Sequence, residues 1–290
     1  NYFQFFLVRM GVGVGESTLS PSAYSMIADL FPKNRLATAM SIFTMGIFLG
    51  GGLATLIGSG IVAKLPTEGH VVVPVFGEIF PWQLIFLYVG LPGLLIALLL
   101  LTVKEPARKN MMLKEGQQVK LSLSESLKII FQHRKTFLLI SFVTSTQALV
   151  NFGCNAWVPT FVARTFGWEV PRAGAFYGMV VVAASISGVL FGGWYADKLT
   201  REGKLEGKLR VSVIAAVLCL VGALAVLLPK AEWALLLIGV PIFGLAAPFG
   251  AATAAVQEMM PNQVRALASS ILLFILNLID MSLGPTLVAL

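Results

Sequence analysis

Apolar residues in this chain run on for longer than the core helices of a soluble domain require. Predominantly apolar stretches occupy residues 3–30, 37–62, 82–103, 136–163, 174–196, 211–228, 233–257 and 266–290. Each is about long enough to cross a bilayer as a helix of roughly 20 residues. Glycine and proline recur inside them, as helices packed among neighbours in lipid tolerate. The pattern predicts an all-α, polytopic membrane protein with eight spanning helices. Polar links separate the spans. In the longest, "LSLSESLKIIFQHRK", Leu121, Leu123, Leu127, Ile130 and Phe131 recur at helical spacing. That spacing predicts a short helix lying on the membrane surface, capped by Ser124. The link spans 104–135 and separates three spans (1–103) from five (136–290), so it is the expected domain boundary.

Composition supports the same solvent. Of 290 residues, 57% are hydrophobic and 12% charged, against roughly 25% charged in soluble domains. Mean hydropathy is +0.85. The chain begins at Asn1 and ends at Leu290, each inside an apolar run and with no initiator methionine, and reads as an internal piece of a longer protein. The net charge of +7 is explained by its placement. Lys33 and Arg35 lie in one link. Lys104, Arg108, Lys109, Lys114, Lys120, Lys128, Arg134 and Lys135 lie in another, Lys198, Arg201, Lys204, Lys208 and Arg210 in a third, and Arg265 in a fourth. These are sixteen of the 21 lysines and arginines. The intervening links hold only Lys64, Arg164, Arg172 and Lys230. Cytoplasmic loops are the basic ones, so the charge is topological and no nucleic-acid partner is expected. Cys154 and Cys219 fall in apolar runs and offer neither a disulfide framework nor metal spacing. His70 and His133 lie in loops and receive no role. No metal-ligand cluster, histidine dyad or nucleophile elbow is legible, so neither a cofactor nor an enzymatic reaction is expected. No pore loop or ring of like charges points to a channel; a channel or receptor is the alternative from a different class.

Three ionisable residues stand inside spans. "RMGVGVGEST" puts Arg9 and Glu16 two helical turns apart on one face, with Gly13 between them. Ser20 and Tyr24 continue that stripe. A charge at bilayer depth costs several kcal/mol unless paired or hydrated, so such residues are functional by default. Arg9 is suited to attract an anionic group or to pair with Glu16. Glu16 is suited to carry a proton, because burial favours the protonated carboxyl and a nearby cation the ionised one. A pair that only locks the helix bundle is the structural alternative. In the last span Asn277 and Asp280 share a face, and Asp280 is the third intramembrane charge. In the fourth span Gln147, Asn151 and Asn155, spaced by four, form a polar stripe that lines a cavity or hydrogen-bonds between helices. Trp157 is expected as an interface anchor.

Two links resemble each other. "ADLFPKNRLATAMSIF" (28–43) and "QEMMPNQVRALASSILLF" (257–274) each end a span with an acid, Asp29 or Glu258. A proline follows three residues on, then an arginine, Arg35 or Arg265. The acids can accept from freed amides or pair with the arginine. Counting spans, the period is six, and parallel repeats of this kind occur in transporters.

With "GGWYADKLTREGKLEGKLR" (192–210) the sequence resembles the major facilitator superfamily. Gly193, Asp197, Lys198 and Arg201 match that family's cytoplasmic signature, while Thr200 and Glu202 depart from it. Asp197 can pair with basic residues or with a neighbouring helix N-terminus. The resemblance covers essentially the whole chain. It implies helices 4 to 11 of about twelve, in two pseudo-symmetric bundles: helices 4–6 over 1–103 and helices 7–11 over 136–290. It also implies that Asp29, Arg35, Gly193, Asp197, Lys198, Arg201, Glu258 and Arg265 work as a conformational switch. Residues 9–52 look most like the spinster-like branch, with the anion:cation symporters of sugar and aromatic acids next; "NAWVPTFVARTFGW" and "FPWQLIFLYVGLPGLLIALLLLTVKEP" fit both. In "GIFLGGG" (46–52) Gly51 stands where drug/proton antiporters carry a proline. The resemblance implies a transporter of an organic anion or lysolipid-like amphipath, proton-coupled through Arg9, Glu16 and Asp280. Ser20, Tyr24, Gln147, Asn151, Asn155 and Asn277 would line its cavity. The implied partners are the solute, a proton and the bilayer of an inner or plasma membrane, with the protein a monomer.

Overall fold

The structure is a computed structural model that describes residues 2–62, 71–73, 77–104, 106–109, 111–114, 117–118, 121–204 and 206–289. Lys64, His70, Lys120 and the side chain of Asp280 lie outside the described residues.

Helix α1 (Tyr2–Leu30) is followed by α2 (Leu36–Val62), α3 (Pro81–Leu100), α4 (Leu123–Gln132), α5 (Arg134–Phe166), α6 (Val170–Arg201) and α7 (Gly207–Gly222). Then come α8 (Ala231–Ala246), α9 (Pro248–Met259) and α10 (Asn262–Ala289). All eight predicted spans are helical. The seventh is two helices, because Pro248 has no N–H to continue α8 and crowds the carbonyl one turn back; Ala247 still donates to the Phe243 carbonyl at 3.2 Å. The sixth ends in a 3-10 turn over Ala223–Leu227. Two small antiparallel hairpins lie in the links: β1 (Val71–Val73) with β2 (Gly77–Ile79), and β3 (Leu113–Lys114) with β4 (Gln117–Gln118). Among the described residues, five segments are long and apolar enough to span a membrane: Arg134–Phe166, Arg172–Arg201, Gly207–Leu227, Ala231–Met259 and Asn262–Ile279.

Local chemistry sets the helix ends. The surface helix α4 is present, but its cap is Ser122 rather than Ser124. The Ser122 side chain accepts from the Glu125 amide, and Glu125 reaches back to accept from the Ser122 amide at 2.7 Å. The cap sits two residues early because only Ser122 has an acidic residue at the third helical position to close the box. Helix α5 stops at Gly167, whose φ of +70° suits a residue without a Cβ.

The residues divide into two compact units, 1–48 with 106–290, and 49–105. The smaller unit holds the end of α2, the first hairpin and α3. There Pro81 opens α3, and Gln83 accepts from the Phe80 amide at 2.8 Å. In the larger unit α5 packs along α10, and α6 along α8 and α7. One apolar cluster joins Tyr24, Ala28, Ala37 and Met40 of α1 and α2 to Ala196 of α6 and Ala251 and Ala254 of α9. A second joins α4 and α5 to α9 and α10 through Ile130, Phe137, Ile140, Val256 and Leu272. Where α2 crosses α6 and α9, glycine permits contact that no other residue would. A Cβ at Gly193 would lie 2.7 Å from the Ala37 carbonyl, and one at Gly250 would lie 2.7 Å from the Ser41 amide nitrogen. Outside these contacts, leucine, valine and phenylalanine stand exposed along α1, α3, α5 and α7, as lipid-facing helices require.

Candidate functional site

The basic links meet at one end of the larger unit. There the two copies of the acid–proline–arginine link are joined, though not as pairs within each copy. Asp29, at the end of α1, is 1% exposed. Its Oδ1 accepts from Arg265 Nη1 at 2.9 Å and from Asn262 Nδ2 at 2.9 Å, and its Oδ2 from the same Nδ2 at 2.8 Å. The Lys109 amide of the long link donates to Oδ1 at 3.3 Å. The Arg265 Nε donates to the carbonyls of Gln257 and Met260, which α9 leaves free where it ends. Asp29 therefore pairs with the arginine of the other copy, and Glu258 pairs with Lys208 rather than with Arg265. The reason is geometric: each acid ends one helix of its copy, and the nearest cation belongs to the element packed across from it. Arg35 is exposed and makes no ion pair among the described residues.

Asp197 forms a second clasp. It is 2% exposed, near the end of α6. The Ala37 amide donates to its Oδ1 at 3.0 Å and the Thr38 amide to its Oδ2 at 2.7 Å. A carboxylate 160 residues away thus caps α2, taking N–H groups that have no partner within the helix, at its positive end. Of the two options open for Asp197, the helix N-terminus is the one realised. Gly193, one turn earlier, lets α6 approach Ala37 and Ser41 so that the carboxylate reaches. Lys198 lies over the Trp194 ring at 5.5 Å, and Arg201 donates from Nε to the Asp197 carbonyl at 3.4 Å.

Asn262 and Lys208 were not singled out in the sequence. Asn262 follows the proline of the second copy, where the first copy has Lys33, so its position in the repeat was the available signal.

The intramembrane residues lie deeper. Residues 2–19 of α1 are exposed, Arg9 and Glu16 among them, and these two form no ion pair with each other. Burial of α1 begins at Pro21. Ser20 is half-buried. Tyr24 does not line a cavity with it, since it is packed at 3% exposure with its ring edge-on to Phe43 at 5.4 Å. On α5, Asn155 Nδ2 donates to Asn151 Oδ1 at 2.9 Å. Gln147 departs from that pair. It is 8% exposed and lines a ≈ 660 Å³ groove between α5, α7 and α9, with Ser212 and Ala252 opposite. Its Oε1 has no hydrogen-bond partner. Asn277 is exposed on α10 and donates to the Leu273 carbonyl at 2.9 Å. At 1.5 Å rise per residue, Glu16, Asn277, Asn151, Arg9 and Asn155 lie about 20–30 Å along their helices from the clasped end.

The sequence profile described as Major Facilitator Superfamily matches residues 1–285. The chain belongs to that family. It is thus an integral membrane protein of a transporter family rather than an enzyme. It is 23% identical, over 98% of its length, to an "MFS-type efflux pump" of Mycolicibacterium smegmatis, covering 61% of that protein. It is 24% identical, over 70% of its length, to the cis,cis-muconate transport protein of Acinetobacter baylyi, covering 46% of that protein. Among solved structures it is similar to a bacterial homologue of the human lysosomal transporter spinster, in an inward-facing, unoccupied conformation. There the TM-score is 0.58 at 26% identity, over 98% of this chain and 62% of that one. The chain thus spans about half to three-fifths of the length of these three proteins.

Proposed function

We propose that this chain is the middle portion of a secondary transporter that moves an organic anion or a lysolipid-like amphipath by alternating access, driven by protons. The buried Asp29–Arg265 pair is the observation that carries the reading. It ties the two copies of a repeat together at one end, beside the second tie made by Asp197. Two ties at one end form a closure that opens when the copies rock apart. Arg35, Gly193, Lys198, Arg201 and Glu258 sit around these ties and complete the switch.

Arg9 holds the anionic group of the solute. Glu16 and Asp280 take up and release the coupling proton, and Ser20, Asn151, Asn155 and Asn277 supply polar groups along the route. Tyr24 instead holds helices together, and Gln147 lines the groove between α5, α7 and α9. The test uses the full-length protein in liposomes with a pH dye inside. Lysolipids, sphingoid phosphates, sugar acids and aromatic acids are added singly. An amphipath that drives proton flux, lost in Glu16→Gln, is the expected result. Full flux in Glu16→Gln would sink the coupling role. A second reading is a sugar-acid or aromatic-acid symporter, favoured by the similarity to the muconate transport protein. Flux with small carboxylates alone would select it.

A further inference from the structure

A cavity of ≈ 400 Å³ opens at the clasped end, where the two copies of the repeat meet. Lys33 and Leu36 come from the first copy, Glu258, Pro261 and Arg265 from the second, and Lys109 from the long link. Its charges are unequally compensated. Arg265 is neutralised by Asp29 and Glu258 by Lys208. Lys33 and Lys109 are both exposed and make no ion pair among the described residues. The cavity therefore carries two uncompensated ammonium groups on two separate elements.

We propose that this cavity is a regulatory site for a phosphate-bearing anion, apart from the solute pathway. Two ammonium groups facing one concavity suit a multivalent anion better than a monocarboxylate, which would leave one of them unpaired. Phosphate offers several oxygens to donors arriving from different elements. The Lys33 and Lys109 ammonium groups reach those oxygens, and the guanidinium N–H groups of Arg265 that neither Asp29 nor the Gln257 and Met260 carbonyls use add to them. Because the walls belong to both copies, the anion touches all its partners only while the Asp29–Arg265 clasp is closed. Its binding thus favours the closed state. This regulatory half rests on the alternating-access reading; the binding half does not.

The probe is pyrophosphate, titrated calorimetrically into the full-length protein in phosphatidylcholine nanodiscs at constant ionic strength. One saturable site is expected, weakened by about tenfold or more in the double variant Lys33→Gln/Lys109→Gln, since each tenfold corresponds to about 1.4 kcal/mol. Nanodiscs with added phosphatidic acid separate the sources of phosphate. Competition in the wild type and none in the double variant assigns the site to a lipid headgroup. No competition assigns it to a soluble anion. Equal affinity in wild type and double variant, or no saturable binding, overturns the site. In liposomes pyrophosphate is expected to slow wild-type flux and leave the double variant's flux unchanged. Binding without slowing overturns the regulatory role and leaves the site standing.

Discussion

Asp29 shows how much one side chain can decide. Its carboxylate is buried, and its strongest partner, Arg265, is only 4% exposed. Breaking such a pair by removing one charge costs about 3–5 kcal/mol, because the other charge stays buried and uncompensated. Asp29→Asn is therefore expected to lower the thermal midpoint of the full-length protein sharply. Adding Arg265→Met should recover part of the loss, since no charge is then stranded. A midpoint equal to wild type in the single variant would remove the clasp from the account. Ser122 is a smaller case. Ser122→Ala removes the cap of α4, worth about 1 kcal/mol, and should speed hydrogen exchange at the amides of residues 124–126. The Ser122 amide and hydroxyl hold the exposed Glu125 carboxyl below the usual carboxylate value. A group lowered in the folded state stabilises it above its unfolded value and loses that effect as pH falls through the folded one. The protection of α4 is thus complete at neutral pH and declines only in acid.

At the scale of elements, the crossing of α2 over α6 and α9 is a close contact, and small residues make it possible. Gly250→Ala is expected to cost about 1–3 kcal/mol through overpacking and to keep α2 from seating. Ser41→Ala does not fully repair it, because the backbone nitrogen of Ser41 would still lie 2.7 Å from the new Cβ once the side-chain oxygen is gone. Full recovery by Ser41→Ala, read from the thermal midpoint, would mean that the contact is a side-chain clash alone. The caps at this end also run between elements. Helix α2 starts without a capping side chain of its own and takes the carboxylate of α6 instead. If the two copies separate, that helix end loses its partner, which makes closure cooperative with capping.

At the scale of the whole molecule, the basic links define one face. Lys33, Lys109, Lys208 and Arg265 come from four links and converge at the clasped end. Single cysteines replacing Lys33, Lys109 or Lys204, in a chain with Cys154 and Cys219 removed, should react with a membrane-impermeant reagent from the cytoplasmic side only. Cysteines replacing Arg164 or Lys230 should react from the opposite side only. Mixed labelling of either set would overturn the orientation.

The hydrophobic run lengths alone determined that eight segments are helical, because in lipid every backbone group must be satisfied within its own helix and the run length carries that information; among the described residues five segments are long and apolar enough to span. The sidedness of the charged links, and the existence of a repeat with an acid, a proline and an arginine, were equally legible. The partners were not. Asp29 chose the arginine of the other copy, Glu258 chose Lys208, Asp197 chose the amides of α2, and Tyr24 turned to a packing contact. Spacing along a helix states which residues share a face. Which helix that face meets is decided only by how whole helices pack, through contacts as much as 236 residues apart in the chain.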